Sequence, residues 1–460
     1  MKTRLLYIFI AIICSAGATA QQHLVLSLDY CRTMTDSNST SVCNAILDVE
    51  AAKAQRGEAL AEYFPKVSAS AFGFYSLNPM IEIGIKDILG ESEFTNNLQT
   101  IIDKIGPELG INTVYRTMQR GAVASVSLMQ PLFAGGRIVA GNRLASLGLE
   151  AATLKRDIAT RTAHEQVDKD FWQIVALQEK EKTLEALSIM LDTIQRDVTS
   201  AYEAGIASNT DLMQVELHRS ELEVGRIQLT NGLRLAKMNL LNGMKADYSY
   251  IPRPDSDVPY IDSISLDGTL DHLQAPDIYY VDEETIAVTQ EETRLLSLAV
   301  EAQQLQRRMA LGEALPQVAV GANYGYSYML DKGKWNGAVY AVVQVPISDW
   351  GKKARNLQRL DRQIQKAEND QEYLSEQILL QIRQLWLNAN ASWQQMLVTR
   401  QSLDLAQANA DQSIAYYRAG MIPLSELLQA QTTLTQANEA YIKQAINYIT
   451  DLNAYLYRTK

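Results

Sequence analysis

Tyr202-Glu203-Ala204-Gly205 recurs as Tyr417-Arg418-Ala419-Gly420, 215 positions further on, and the residues behind each copy keep that offset. Asp211-Leu212 meets Glu426-Leu427, and Gln214 meets Gln429. Upstream at the same offset, Gln130-Pro131-Leu132 through Gly136-Arg137 aligns with Val345-Pro346-Ile347 through Gly351-Lys352. Earlier still, Phe64-Pro65-Lys66-Val67 resembles Leu315-Pro316-Gln317-Val318 at an offset of 251, so the first half carries 36 extra residues between its two prolines. A self-similarity of this kind describes two copies of one supersecondary plan.

Each copy reads the same way. A helix (about Cys43 to Tyr63, and about Glu283 to Ala314) runs up to a proline. Two strand-like segments follow, then a very long helix broken at the Tyr-x-x-Gly turn, and a further helix.

The strands declare themselves by alternation. Val318, Val320, Ala322, Tyr324, Tyr326 and Tyr328 share one face, and Gln317, Ala319, Gly321, Asn323, Gly325 and Ser327 the other. A turn at Asp331-Lys332-Gly333 leads back into a strand from about Trp335 to Val345. In the first copy Val67, Ala69 and Ala71 alternate with Lys66, Ser68 and Ser70, and Ala122 to Gln130 returns. Segments apolar on one face and small or polar on the other suit barrel strands of roughly 9–11 residues. Tyrosines gathered toward one strand end suit an interfacial girdle. The alternative, an edge of a soluble β-sandwich, would be a poor sandwich with so few strands among so much helix.

The long helices carry heptad seams. Leu184, Leu187, Leu191, Ile194, Val198 and Ala201 step by three and four. So do Ile382, Leu385, Ala389, Ser392, Met396, Thr399, Leu403, Ala406, Ala410, Ser413 and Tyr417, with small residues that allow close helix approach. A continuous helix from Arg137 to Tyr202 would be on the order of 100 Å long at ~1.5 Å per residue. A bilayer core of ~30 Å cannot hold that length.

The amino terminus gives an address. Lys2 and Arg4, the apolar run Leu5 to Ile13, and Ala18-Thr19-Ala20 read as a signal peptide over residues 1–20. Cys14 would begin a lipoprotein, but Ile13 before it is too bulky for the usual lipid-attachment box. Cleavage after Ala20 moves the net charge from −11 to −13. An acidic, secreted chain does not suit a nucleic-acid partner. Cys31 and Cys43 remain; an oxidising compartment permits a bridge, but their helical surroundings favour packing as small apolar residues.

The layout expected is a first repeat over 21–245, an irregular linker over 246–282 rich in proline (Pro252, Pro254, Pro259, Pro276), and a second repeat over 283–460. In the first, strands fall at about 66–76 and 116–130 and the long helix at about 137–202. In the second they fall at about 317–330 and 335–345, with the helix at about 351–418. The insertion from about Ser76 to Tyr115 mixes glycines with a short helical pattern in Leu98, Ile101, Ile105 and Leu109.

Catalytic signatures do not emerge. The sequence has no P-loop, dinucleotide fingerprint or Cys-x-x-Cys pair. His23, His164, His218 and His272 are scattered, and His164-Glu165 lacks the second histidine of a zinc-protease motif. The expectation is a non-enzyme without cofactor or metal. Two classes are to be weighed: a structural periplasmic coiled-coil protein without a transport role, which the strand pairs disfavour, and a membrane-associated enzyme, which the missing signatures disfavour.

Pro131-Leu-Phe-Ala-Gly-Gly136 where strand gives way to helix, the duplicated Tyr-x-x-Gly-x5-[Asp/Glu]-Leu, and the opening Leu28-Asp29-x-Cys31-Arg32 resemble the TolC-type outer-membrane efflux factors. The resemblance covers essentially the whole mature chain. It implies an α+β membrane protein in which long periplasmic coiled-coil helices form an α-barrel. Four strands per chain contribute to a trimeric twelve-stranded β-barrel, with Val318, Val320, Tyr324 and Tyr326 facing lipid. It implies a homotrimer in the outer membrane of a Gram-negative bacterium, partnered by a periplasmic adaptor and an inner-membrane pump. In such proteins the turns between paired helices form a periplasmic tip. Asp211 and Glu426 fall at the positions of the carboxylate ring, Tyr417 on the gating tyrosine, and Tyr202 is its repeat mate. Gly205-Ile206 and Gly420-Met421 match the adaptor-docking positions. The chain departs at Ile422, where a latch arginine is expected, and at Gln214 and Gln429, which leave one acidic ring and not two. Glycine at a helix end has its own reason in the left-handed cap, and an acid in a first helical turn has its own reason in the dipole.

Overall fold

The computed structural model describes residues 24–109, 114–252, 258–270, 273–329 and 332–459. The signal peptide with Cys14, and His23, Pro254, His272 and Asp331, lie outside the described residues.

In chain order the first repeat runs β1 (Leu24–Leu26), α1 (Leu28–Asn38), α2 (Thr40–Ala61), β2 (Lys66–Tyr75), β3 (Ile81–Gly84), α3 (Ile85–Leu89), α4 (Glu93–Leu109) and β4 (Val114–Thr117). It continues through β5 (Arg120–Ala134), α5 (Arg137–Glu203) and α6 (Asn209–Gly243). After a linker holding β6 (Ile264–Leu266) come α7 (Glu283–Thr289), α8 (Glu291–Gly312), β7 (Gln317–Met329), β8 (Lys332–Gln344), α9 (Lys352–Arg418) and α10 (Leu424–Thr459). Both long helices, α5 and α9, have 67 residues. Among the described residues no helix is long and apolar enough to cross a membrane.

The chain divides into two compact units. One, over residues 51–150 and 298–369, contains a four-stranded antiparallel sheet in the order β2-β5-β7-β8. Its register puts Val67, Ala69 and Ala71 beside Leu128, Val126 and Ala124, and Val126 and Ala124 beside Tyr324 and Tyr326. Val318, Val320, Tyr324 and Tyr326 pair with Val343, Ala341, Gly337 and Trp335. All of these stand on one face because strand side chains alternate. That face carries the aromatics: Tyr324 stacks on Trp335 with ring centres 5.5 Å apart. The other face bears a hydroxyl ladder, Ser68 with Ser127 at 2.9 Å and Ser70 with Ser125 at 3.4 Å.

The strand expected over 116–130 is in fact two. Residues to Thr117 belong to β4, which pairs with β3; Met118 then takes a left-handed backbone (φ 62°) that ends the ladder. The true barrel-type strand, β5, starts at Arg120 and continues four residues past Gln130. Pro131 is tolerated there because β2 has already ended, its Lys66 lying opposite Met129, and because the pairing with β7 shifts between Pro131 and Phe133. The return strand β8 begins at Lys332, earlier than expected, as part of an unbroken ladder with β7. The described residues of the insertion include the β3–β4 pair with α3 and α4, the last carrying the expected helical pattern.

The helix expected over Glu283 to Ala314 also divides, at Gln290. That residue is buried with an extended backbone (φ −64°, ψ 139°), and its side-chain amide donates to the Arg458 carbonyl at 2.7 Å.

The second unit, over residues 24–50, 151–297 and 370–459, is helical. Leu184, Leu191, Ile194 and Val198 of the first seam are buried, joined by Val215, Leu222 and Leu229 of α6 at seven-residue spacing. Ile382, Ala389, Ser392, Met396, Ala406, Ala410 and Ser413 of the second seam are buried too. Each fully buried leucine contributes on the order of 1.5–3 kcal/mol. The linker is irregular but pinned. β6 pairs in parallel with β1, and Arg234 grips Asp262 through two hydrogen bonds of 2.8 and 2.5 Å. The hydroxyl of Tyr448 donates to the Gln274 carbonyl. Cys31 and Cys43 are free thiols; Cys31 is buried, which pushes its thiol up to about 11.

Candidate functional site

The two Tyr-x-x-Gly turns join α5 to α6 and α9 to α10 within the helical unit. Each is a Schellman-type helix ending. Gly205 (φ 73°) donates to the Tyr202 carbonyl at 2.9 Å, and Ile206 donates back to Ala201 at 2.8 Å. Gly420 (φ 71°) donates to Tyr417 at 2.9 Å, and Met421 to Tyr416 at 2.9 Å. A Cβ at either glycine would meet nothing within 4 Å, so the left-handed backbone, not crowding, requires glycine there. The turns leave their next residues in solvent: Ile206 is 83% and Met421 70% exposed.

The two acids behave differently. Asp211 is drawn into its own helix start: its backbone N–H donates to Ser208 Oγ at 3.2 Å, while the Ser208 N–H and hydroxyl donate to Asp211 Oδ2 at 2.9 and 2.8 Å. This is a capping box. Glu426 has no such partner residue before it. Pro423 precedes its helix and accepts from the Glu426 N–H at 3.2 Å, leaving the exposed carboxylate clear of the cap.

The tyrosines differ as well. Tyr202 is 44% exposed, whereas Tyr417 packs against the apolar core that α5, α6 and α10 share. Burial raises the Tyr417 phenol above its ordinary value, and the negative charges of Asp211 and Asp197 raise it further. The second repeat's tyrosine is thereby brought into the field of two first-repeat carboxylates. Gln214 has a buried side-chain oxygen without a hydrogen-bond partner, while Gln429 and Arg418 are exposed.

The sequence reading did not name Ser208 or Asp197 as members of this constellation. Ser208 was legible as the first residue of a Ser-x-x-Asp box. Asp197 was not, because its effect on Tyr417 exists only across two helices from different repeats.

Among the described residues no group of three His, Cys, Asp or Glu side chains could hold a metal ion. His164 and His218 each sit against one carboxylate, Asp36 at 2.6 Å and Glu221 at 3.2 Å. The site is a pair of capped turns carrying exposed apolar tips beside acids and tyrosines.

This architecture has relatives among solved structures. A membrane protein from Pseudomonas aeruginosa superposes with a TM-score of 0.72 at 14% identity, covering 98% of each chain. The outer membrane protein VceC from Vibrio cholerae gives 0.69 at 14% identity, over 94% of this chain and 95% of its own. The CmeC outer membrane channel of Campylobacter jejuni gives 0.68 at 16% identity, over 94% and 85%. At such identities the likeness concerns the fold. No curated protein matches the chain. The outer membrane efflux protein family does match, over residues 34–219 and 294–456 and so across both repeats, and the chain belongs to that family.

Proposed function

We propose that this outer-membrane efflux channel protein is one protomer of a homotrimeric exit duct, passive and gated at its periplasmic tip. It completes a tripartite efflux or type I secretion machine in a Gram-negative bacterium, with a periplasmic adaptor and an inner-membrane pump as partners. The observation that carries the reading is the matched pair of glycine-capped turns ending two 67-residue helices, in a chain of the efflux family.

Physical considerations support the assembly. The four-stranded sheet has two unpaired edges, β2 and β8, and an open edge cannot stand in lipid. Three copies closed on themselves remove every edge. Val318, Val320, Tyr324 and Tyr326 then face outer-membrane lipid, and the serine ladder faces the lumen.

At the tip, Asp211, Glu426, Tyr202 and Tyr417 form the gate, and Gly205, Ile206, Gly420 and Met421 form the adaptor-docking surface. Six carboxylates around a narrow axis favour cations and resist full ionisation. The Asp211→Asn, Glu426→Gln double variant should keep its assembly but lose cation selectivity and block by multivalent cations in single-channel recordings. Unchanged selectivity and block would remove these residues from the pore entrance. Ile206→Asp with Met421→Asp should abolish export while the trimer persists; retained export would remove the docking role.

A further inference from the structure

The duplication carries information about the interface between protomers. Within one protomer the two repeats meet where β5 pairs with β7. Closing a barrel makes the second repeat of one protomer meet the first repeat of the next in the same way, β8 against β2. Any contact between β5 and β7 therefore translates into an intermolecular one by adding 215 on one side and subtracting 251 on the other, the offsets of the duplication.

Three contacts translate, and two of the translated pairs bring opposite charges together. Gly135 lies against Gly312 so closely that a Cβ on Gly312 would stand 2.6 Å from the Gly135 carbonyl oxygen. The translated pair is Trp350 against Ala61, both of which carry side chains, so the backbones there stand further apart than Gly135 and Gly312. Arg137 faces Glu313 at 4.0 Å, and the translated pair is Lys352 against Glu62, again a base against an acid. Ala134 pairs with Gln317, which becomes Asp349 opposite Lys66, also of opposite charge. The strand register translates too: Val126 opposite Tyr324 becomes Ala341 opposite Gly73, and both of those residues stand on the face shared by Val320.

Trp350 is where the repeats diverge. It occupies the left-handed slot (φ 56°) that Gly135 fills in the first repeat. Inside the protomer that slot is closed by Gly312, so no side chain fits. In the second repeat the slot is open and the indole is 99% exposed, with Ile347 94% exposed nearby in sequence. At the base of β2, Leu60 and Phe64 are 47% and 66% exposed. A bulky aromatic held in a disfavoured backbone with no partner of its own is explained by a partner supplied from outside.

We infer that β8 of one protomer pairs with β2 of the next in this translated register, that Trp350 packs on Ala61, Leu60 and Phe64 of that neighbour, and that Lys352 reaches its Glu62. The inference rests on the trimeric reading above and adds the residues that decide how the copies mate. The occupant of the exposed patch is a second copy of this chain, because only that copy supplies a matching open strand edge and the opposite charges together.

The test starts from a Cys31→Ala, Cys43→Ala chain in detergent. Antiparallel neighbours lie roughly 4.5–5.5 Å apart at Cα, within disulfide reach, and a slip of two residues carries them beyond it. Ala341→Cys with Gly73→Cys should oxidise to a covalent trimer on unreduced denaturing gels, and Val339→Cys with Gly73→Cys should not. Lys352→Glu should lower the temperature at which the trimer dissociates, and Glu62→Lys added to it should restore that temperature. Trp350→Gly should also lower it, although glycine suits the backbone better. An intact trimer with no 341–73 cross-link, or with no recovery on charge reversal, overturns the register. A wild-type chain that is monomeric in detergent overturns the trimeric reading itself.

Discussion

Replacing Gly135 by alanine probes the joint between strand and helix at its tightest point. Two costs add. At φ 63° an L side chain is in the left-handed region, which costs about 1–2 kcal/mol. The new methyl would also stand 2.8 Å from the Gly312 carbonyl carbon and Cα, and 2.8 Å is well inside contact distance. The obstacle is backbone, which cannot rotate aside as a side chain would, so an overpacking cost of about 1–3 kcal/mol follows. The total is roughly 2–5 kcal/mol. Gly136 supplies the control: its φ is 78°, but a Cβ there meets nothing within 4 Å, so Gly136→Ala pays only the strain of about 1–2 kcal/mol. The assay is urea unfolding in detergent followed by far-ultraviolet circular dichroism. Differences between variants are read in preference to absolute values, since a chain of two units need not unfold in one step. If Gly135→Ala costs no more than Gly136→Ala, the close approach to Gly312 is not a constraint and the reasoning fails.

Arg32→Ala should destabilise the helical unit by about 3–5 kcal/mol, because the Asp168 carboxylate it holds at 2.9 and 2.5 Å is buried and would keep only the Tyr457 hydroxyl at 3.0 Å. Adding Asp168→Asn should recover part of that loss in the same urea assay, and no recovery would refute the pairing. Burial alone would raise the Glu292 carboxyl, but the Arg458 hydrogen bond, its own backbone N–H and the charges of Arg458 and Arg161 outweigh that and hold it below its ordinary 4.5. A depressed carboxyl contributes stability above its unfolded value that disappears as pH falls through the folded value. Glu292→Gln should therefore flatten the loss of stability expected of the wild type below about pH 4.5; an unchanged acid limb would contradict it. Val320→Arg should impair assembly by about 2–4 kcal/mol if the residue lies near the bilayer midplane, and Asn323→Arg much less. The opposite order in a trimer assay would reverse the two faces.

The sequence by itself determined the plan. The 215-residue offset, the period-two strands and the heptad seams are local or translational patterns, and secondary structure obeys local rules. The glycines of both turns were legible for the same reason: a left-handed helix ending has few other solutions. The efflux family followed from motifs repeated in register. Tertiary structure decided what depends on a second segment. Pro131 lies inside β5 only because β2 stops short of it, which no reading of β5 alone contains. The break at Gln290 answers a carbonyl 168 residues away, at Arg458. Asp211 and Glu426 are equivalent by alignment, yet one closes a cap on Ser208 and the other is exposed, because serine precedes one helix and proline the other. Gly135 and Trp350 share a backbone conformation and a place in the repeat. Only the packing of Gly312 against the first of them explains why one slot excludes a side chain and the other carries the largest one available.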